Sequence, residues 1–577
     1  MISESESSKL TNMELIGETG GSRLHKLFVG FASLYRSFDP LERTLANETS
    51  MTTAKPKSRL PQPQFSNELL TAFSIPKQAA LMKQALANTK SKLGQEYGII
   101  IGHRELRTSR TFSSINPSQP SQVVGHVHDA GPEHVSLAIK AATRAFVKWK
   151  STSIEKRISI LKTIAKLLRK RKYEFCAWLV YEIGKNWEEA DSEVAEAIDF
   201  AEFYALQAET LVETETAVQL PGEKNSLLRI PLGVGAVIAP WNFPCAIVAG
   251  MIMAPIVAGN TVILKPSPNA PVIAAKFMEV LLDAGVPAGV VNFCPSSSSA
   301  IGPALVEHPE IRFIVFTGSK EAGLDINLRA AMPRPGQKWI KRTILEMGGK
   351  DAIVIDEDAY LESAVDGVVQ SAFGFSGQKC SACSRAIVDA KVHHQFLTHL
   401  RYRLSELTVG DPEENAFVGP VVSERQFNRV LEYINLGKKE GRIVVGGHAL
   451  PRRGQGYFIE PTVIADVAPT ARIAQEEIFG PVLAVIKSRS FRHSLGIANN
   501  TEFGLTGAVY TKSREKLNLA RDTFHVGNLY FNRKCTGAMV GAHPFGGFNM
   551  SGTNSKAGGP DYVLLFTQAK SVAEKAI

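Results

Sequence analysis

Residues 233–239 read GVGAVIA, 260–267 NTVILKPS, 289–295 GVVNFCP and 311–319 IRFIVFTGS. Each is a short apolar run bounded by Gly, Pro or Asn, the pattern of a strand buried on both faces. Between them lie AIVAGMIMAPIVAG (246–259), PVIAAKFMEVLLDAG (271–285) and SAIGPALVEHPE (299–310), all of helix length. Strand and helix alternating at this spacing predict an α/β fold: a parallel sheet with helices on both faces, a Rossmann-type unit. A second alternating region follows Glu346, with KDAIVID (350–356), CSACSRAIVD (380–389), RIVVGG (442–447), PTVIADV (461–467) and VLAVIKS (482–488) as its strands. It predicts a second α/β domain.

The stretch from Ile230 to Leu264 has no charged residue over 35 positions, long enough to suggest a membrane span. Pro231, Pro240, Pro244 and Pro255, with Asn242 and Asn260, divide it into strand, loop, helix and strand of a soluble core instead. Upstream, Pro132–Lys150, Ser153–Arg171 and Tyr173–Gly184 carry apolar residues at helical spacing, Ser66–Gly94 reads as a helical arm, and Ile99–Phe112 as a hairpin. Residues 1–60 are read as a loosely ordered extension, with Met51 an alternative start. Within it, Leu24–Phe38 is apolar and lightly basic, vaguely like a transit peptide, although Glu4 and Glu6 do not suit a secretory signal.

The 577 residues are 44% hydrophobic and 21% charged, which excludes collagen-like, coiled-coil and wholly disordered chains. Net charge is +9, without a Lys/Arg cluster interleaved with aromatics, so nucleic-acid binding is not expected and small anionic substrates suit the balance equally well. Six cysteines in so long a chain are no disulfide framework and point to a reducing compartment. The expected location is the cytoplasm, or the mitochondrial matrix in a eukaryotic cell.

Four places carry residue types suited to chemistry. In IRFIVFTGSKEAG (311–323) a strand ends at Gly318 and Ser319 and a helix starts at once, with Gly323 one turn in. A phosphate could sit on such a helix N-terminus; Ser319 could equally be a plain N-cap. Cys380, in SAFGFSGQKCSACS (371–384), sits in a Gly/Ser-rich stretch that leaves a thiol accessible, and the adjacent Lys379 is expected to favour the thiolate. A redox pair with Cys383 is the alternative; one CxxC gives too few ligands for zinc, and no metal is expected. Glu346, in ILEMGGK (344–350), suits a general base if burial raises its pKa, or is an ordinary helix-start Glu. Asn242, in APWNFP (239–244), offers an uncharged donor to an oxyanion, or is a buried turn Asn.

PWNFP (240–244), ILKPS (263–267), FTGSKEAG (316–323), LEMGGK (345–350), GQKC (377–380) and EEIFGP (476–481) occur in one order. In this the chain, over roughly residues 66 to 577, resembles the aldehyde dehydrogenase superfamily. KNWEEADSEVAEAIDF (185–200), RPGQKWIKRTILEMGGKDAIVID (334–356), SAFGFSGQKCSACSRAIV (371–388) and NRKCTGAMVGAHPFGGFNMSGTNSKAGG (532–559) are similar to its Δ1-pyrroline-5-carboxylate dehydrogenase branch, which oxidises glutamate 5-semialdehyde to glutamate in proline degradation. The resemblance implies Cys380 as nucleophile, Asn242 and the Cys380 N–H as oxyanion donors, and Glu346 as the base that activates water. It implies Trp241, Lys265, Gly318, Ser319, Gly323, Glu477 and Phe479 around NAD. Ser381, Gly537 and Ala538 would grip the substrate α-carboxylate, with Phe243 and Phe545 flanking its chain. Other aldehyde specificities, succinate semialdehyde or an aliphatic aldehyde, and a redox-switched non-catalytic scaffold built on Cys380–Cys383, are the competing readings.

One departure is visible. Many relatives place Glu three residues after the lysine of the KP motif, where this chain has Pro268. A carboxylate there repels the 2′-phosphate of NADP; its absence leaves NADP open beside NAD. The expected organisation is an extension (1–60), an arm and hairpin (61–128), a cofactor domain (129–212 and 230–345), a catalytic domain (346–548) and an oligomerisation flap (213–229 and 549–577). The expected partners are the semialdehyde, a second copy in a homodimer or larger assembly, and a separate proline dehydrogenase.

Overall fold

The computed structural model describes residues 65–211, 214–216, 218–450 and 456–575. Residues 1–60, with Leu24–Phe38 and Met51, lie outside the described residues, as does Glu213.

The four opening runs form strands Val234–Ile238, Thr261–Lys265, Val291–Phe293 and Ile311–Thr317, joined by Arg342–Glu346. In space the order is Arg342–Glu346, Ile311–Thr317, Val234–Ile238, Thr261–Lys265, Val291–Phe293, all parallel. The hairpin Ile99–Ile101 and Arg104–Leu106 extends this sheet as an antiparallel edge through Phe293 and Ile100. From Val234–Ile238 the chain builds outward one way, then returns and builds the other way from Ile311–Thr317. The carboxyl ends of these two neighbours therefore flank a topological switch point, where open α/β sheets leave a ligand crevice.

The uncharged run resolves as expected. Helix Ala246–Val257 is buried along nearly its whole surface, and the Asn260 side chain bonds to the Gly233 N–H and to the Pro255 and Phe566 carbonyls. Among the described residues no helix is long and apolar enough to cross a membrane.

The second sheet runs Arg442–Val445, Thr462–Ala465, Val482–Ser488, Cys383–Asp389, Asp351–Ile355, Thr506–Tyr510, Asn528–Phe531, parallel except for its first pair. Glu346 thus ends the last strand of one sheet just before Asp351 opens a central strand of the other, and Cys380 lies immediately before Cys383–Asp389. A third, antiparallel ribbon pairs Glu223–Pro231 with Thr567–Lys575 and is largely exposed.

Helices Pro132–Trp149, Ile154–Lys170 and Lys172–Ile183 match the periodicity. The arm is less helical than expected. Its helix starts at Pro76, and the segment before it is held extended by hydrogen bonds to Asp199 and Asp191 of helix Trp187–Gln207.

Two buried carboxylates from this helical layer close helix N-termini that have no side-chain cap of their own. Glu182 accepts the Val272 and Ile273 N–H groups, each at 2.7 Å, and Glu193 those of Cys245 and Ala246 at 2.7 and 3.2 Å. Glu193 also pairs with Lys185, both side chains being fully buried. Removing one partner of a buried pair strands the other charge and costs about 3–5 kcal/mol. Glu193→Gln is expected to lose that much unfolding free energy in a guanidinium melt; a loss below about 1 kcal/mol would show that the pair is not a structural anchor.

Candidate active site

The loop before Cys380 is locked by its own sequence. Phe375, Ser376 and Gly377 take left-handed backbone angles (φ 50°, 56° and 67°). A Cβ at Gly377 would lie 2.3 Å from the Gly480 carbonyl oxygen, so only glycine fits that approach. The buried Gln378 amide donates to the Phe375 and Pro420 carbonyls and accepts from the Val422 N–H. Cys380 follows, half-buried.

The glycines of LEMGGK have the same cause. A Cβ on Gly349 would fall 2.6 Å from the Cys380 carbonyl oxygen, and one on Gly348 would fall 2.3 Å from Glu477 Oε1. These glycines let Cys380 and Glu477 close on the end of the Glu346 strand.

Asn242 is buried, and its amide donates one hydrogen to the Gln378 carbonyl at 3.1 Å. That contact orients the side chain and leaves its second N–H available. The Cys380 backbone N–H also has no partner among the described residues. The candidate nucleophile thus has one free donor on its own backbone and a second on the side chain bonded to Gln378, two residues before it.

The thiol itself departs from expectation. Burial pushes the Cys380 thiol far up, and the Asp351, Glu477 and Glu346 carboxylates push it further. Lys379 does not offset this, because its ammonium is taken by Glu189 at 2.6 Å. Lys379 therefore does not favour the thiolate. The proposed redox partner is also engaged elsewhere: Cys383 is buried, bonds to the Arg385 carbonyl at 3.4 Å and lies against the Cys535 thiol. All six cysteines are free.

Burial pushes the Glu346 carboxyl up to about 7, opposed by hydrogen bonds from Ser555 and Gly547 and by the Lys556 charge. Glu477 is likewise pushed up to about 7 by burial, and it accepts the Gly349 N–H at 3.2 Å.

The cofactor candidates divide. Ser319 is the N-cap of helix Lys320–Ala331, its Oγ accepting the Ala322 N–H at 3.3 Å. Gly318 and Gly323 serve packing in this structure: a Cβ at the first would strike the Phe316 ring at 2.5 Å and at the second Met347 Sδ at 2.4 Å. Unlike the helices closed by Glu182 and Glu193, this one has no distant carboxylate accepting its N-terminal N–H groups among the described residues, although Glu321 lies in its first turn. Among the described residues the Lys265 ammonium makes one hydrogen bond, to the Pro266 carbonyl at 3.3 Å; burial lowers its pKa, opposed by the Asp129 charge. Trp241 meets Phe479 edge-on at 5.4 Å between ring centroids, and Phe479 has a positive φ of 59°.

On the substrate side, Phe243 packs against Phe375, with the Lys185 ammonium 3.6 Å from its ring centroid. Phe545 makes no ring contact with Phe243; its backbone pairs with Ala557. Ser381 is held through its carbonyl by Thr506 and Cys535, and its hydroxyl has no partner among the described residues.

Several contributors escaped sequence reasoning. Arg533 donates to the Thr536 and Gly537 carbonyls, both at 3.1 Å. In a trans peptide the C=O and following N–H point oppositely, so this turns the Gly537 and Ala538 N–H groups to the other side, where neither has a partner among the described residues. Glu196 is half-buried without a hydrogen bond, and burial and Glu193 push its carboxyl up to about 8. Phe375, Lys185, Glu189 and Ser555 were also missed. Charged Glu189 and Glu196 inside a largely buried helix were the only sequence signal; Lys185, Phe375, Arg533 and Ser555 lie in loops and turns with none.

The aldehyde dehydrogenase family model matches residues 105–572. A 1-pyrroline-5-carboxylate dehydrogenase of Geobacillus kaustophilus (strain HTA426) is 53% identical over 511 residues, 88% of this chain and 99% of that protein. The crystal structure of 1-pyrroline-5-carboxylate dehydrogenase from Thermus with bound NAD is 50% identical with a TM-score of 0.87, over 89% of this chain and 100% of that one. Proline utilization A from Bdellovibrio bacteriovorus, inactivated by N-propargylglycine, is 42% identical with the same TM-score, over 90% of this chain and 54% of that one. With the family model spanning most of its length, the chain belongs to the aldehyde dehydrogenase family.

Proposed function

We propose that the crevice around Cys380 oxidises L-glutamate 5-semialdehyde, the open form of Δ1-pyrroline-5-carboxylate, to L-glutamate with NAD. The observation that carries this reading is the pairing of a nucleophile flanked by two free donors with a separate set of unpartnered N–H groups at Gly537 and Ala538. The first set suits an aldehyde oxygen; the second suits a carboxylate, which a simple aldehyde lacks.

The residues fit NAD. The Lys320–Ala331 N-terminus, with Glu321 its own first-turn carboxylate, offers backbone N–H groups to phosphate, Lys265 is desolvated and forms no ion pair among the described residues although the Asp129 charge favours its ammonium, and Glu477 has lone pairs to spare for ribose hydroxyls. Trp241 and Phe479 line the approach. Bound NAD supplies the hydride acceptor.

The chain's own residues do the rest. Cys380 Sγ attacks the aldehyde carbon as the ionised Glu346 carboxylate, whose charge faces the thiol, takes its proton and passes it on to solvent, giving a thiohemiacetal. Asn242 and the Cys380 N–H hold the oxygen as charge develops on it. After oxidation the carbon is a thioester, and Glu346, ionised, takes a proton from the water that attacks it. Glutamate leaves and the thiol is restored. Meanwhile Ser381, Gly537 and Ala538 hold the α-carboxylate. Glu196, in the layer that carries Lys185 and Glu189, is the carboxyl proposed to pair with the ammonium, whose charge would favour its ionised form against the burial that raises it.

Within this reading the first sheet is the cofactor domain, the second the catalytic domain, and the ribbon of Glu223–Pro231 and Thr567–Lys575 the flap that joins a second copy. Coupling to a proline dehydrogenase is part of the same proposal. So is a reducing compartment, cytoplasmic or mitochondrial, in keeping with six free thiols.

The direct test follows nicotinamide reduction by absorbance with Δ1-pyrroline-5-carboxylate, propanal and succinate semialdehyde, using NAD and NADP in parallel. Strong activity on the first substrate, absent in Cys380→Ala, is expected; activity on the others alone would overturn the substrate assignment. Because the Glu346 carboxyl must be ionised to act and sits at about 7, turnover is expected to rise with pH through that value. Glu346→Gln should abolish this rising limb together with turnover. Arg533→Gln should raise KM for the semialdehyde about tenfold or more, a loss equivalent to one charge-assisted hydrogen bond, while leaving propanal oxidation unchanged. Equal losses on both substrates would remove Arg533 from carboxylate recognition.

A further inference from the structure

The Glu346 side chain lies in a slot built by residues more than two hundred positions away. The Gly547 N–H donates to Oε2 at 3.2 Å and the Ser555 hydroxyl to Oε1 at 2.7 Å. A Cβ on Gly546 would sit 3.1 Å from Oε1 and one on Gly552 3.1 Å from Oε2, so the slot is little wider than the carboxylate. Backbone pairing of Gly552 with Glu346 fixes its depth. Next to Ser555, the Lys556 ammonium is fastened to the Gly527 and Gly546 carbonyls at 2.6 and 2.9 Å. That anchor pins the Ser555 backbone; the ammonium makes no hydrogen bond to the Glu346 carboxylate among the described residues, although its charge favours the ionised form.

We propose that Ser555 is a positioning residue for thioester hydrolysis: its hydroxyl holds one oxygen of Glu346, so that the carboxylate meets the attacking water in a single orientation. The proposal deepens the functional reading above and rests on Glu346 being the base. Slot width and the two donors carry it. The hydroxyl also favours the ionised form against the burial that raises this group. The other titratable groups facing it are Lys556 from the same segment, Cys380 from the nucleophile loop and Tyr562 from the tail.

The full-length protein, as native enzyme and as Ser555→Ala, Ser555→Thr, Glu346→Gln and Glu346→Gln/Ser555→Ala, would be followed by stopped-flow nicotinamide absorbance with Δ1-pyrroline-5-carboxylate and NAD. In Ser555→Ala, one equivalent of reduced nicotinamide per site should still form rapidly. The steady rate after it should fall about tenfold, as expected for one lost hydrogen bond to a charged group. Its rising pH limb should move upward, because a donor to the ionised carboxyl has gone. Threonine, which keeps the hydroxyl, should restore both, and alanine should add no loss to Glu346→Gln. Should the alanine variant fold poorly, Ser555→Gly, which keeps the backbone N–H, replaces it. An unchanged rate and limb in Ser555→Ala beside a silent Glu346→Gln would overturn the proposal and leave the base assignment standing. Full turnover in Glu346→Gln would overturn both. Parallel loss of the rapid phase and steady rate, unrestored by threonine, would reduce Ser555 to a structural role.

Discussion

The buried Lys185–Glu193 pair is the contact on which the site depends. Glu193 spends its remaining capacity on the N-terminus of helix Ala246–Val257, the helix that follows Asn242 and Phe243. Lys185 spends its own on the faces of Phe243 and Phe375. One ion pair therefore fixes the loop of Asn242, the Phe243 and Phe375 rings and the left-handed turn leading to Cys380, the proposed nucleophile. An ion pair so fully desolvated is tolerable only because nearby N–H groups and ring faces share the charge. With Glu182 doing the same for helix Pro271–Asp283, two helix N-termini of the Rossmann unit carry a protein carboxylate. Another, at Ser319, has no such distant carboxylate among the described residues and is the one proposed for phosphate.

Around Cys380 the controlling factor is space. Gly348, Gly349 and Gly377 each remove a side chain where a carbonyl or carboxylate comes too close for one. The same crowding brings three carboxylates near the thiol and holds it protonated. The site thus favours attack coupled to proton loss over a standing thiolate, which suits a nucleophile that must not react with every passing electrophile.

The sheets were legible because fully buried parallel strands leave continuous apolar runs, as in GVGAVIA and IRFIVFTGS. The ordered motifs singled out Cys380, Glu346 and Asn242 as candidates because backbone approaches demand glycine or proline at fixed neighbours. What stayed hidden depended on long-range partners. Lys379 is adjacent to Cys380 in sequence, but its charge is taken by Glu189, 190 positions earlier. Cys383 looked like a partner for Cys380 and lies instead against Cys535. Gly323 fits a phosphate-turn pattern, and the reason it must be glycine is Met347. Arg533 and Ser555 act through carbonyl and carboxylate oxygens whose positions no local pattern encodes.

The Glu346 slot also bears on biosynthesis. Ser555 is separated from the carboxylate it holds by 209 positions, and the Phe566 carbonyl that accepts from Asn260 by 306. Contacts of such sequence separation form late, after their loop-closure entropy has been met by the rest of the fold. A ribosome-bound chain therefore presents its nucleophile well before the walls that aim its base exist. An aldehyde that adds to that immature thiol can leave again, because a thiohemiacetal reverts freely until oxidation turns it into a thioester.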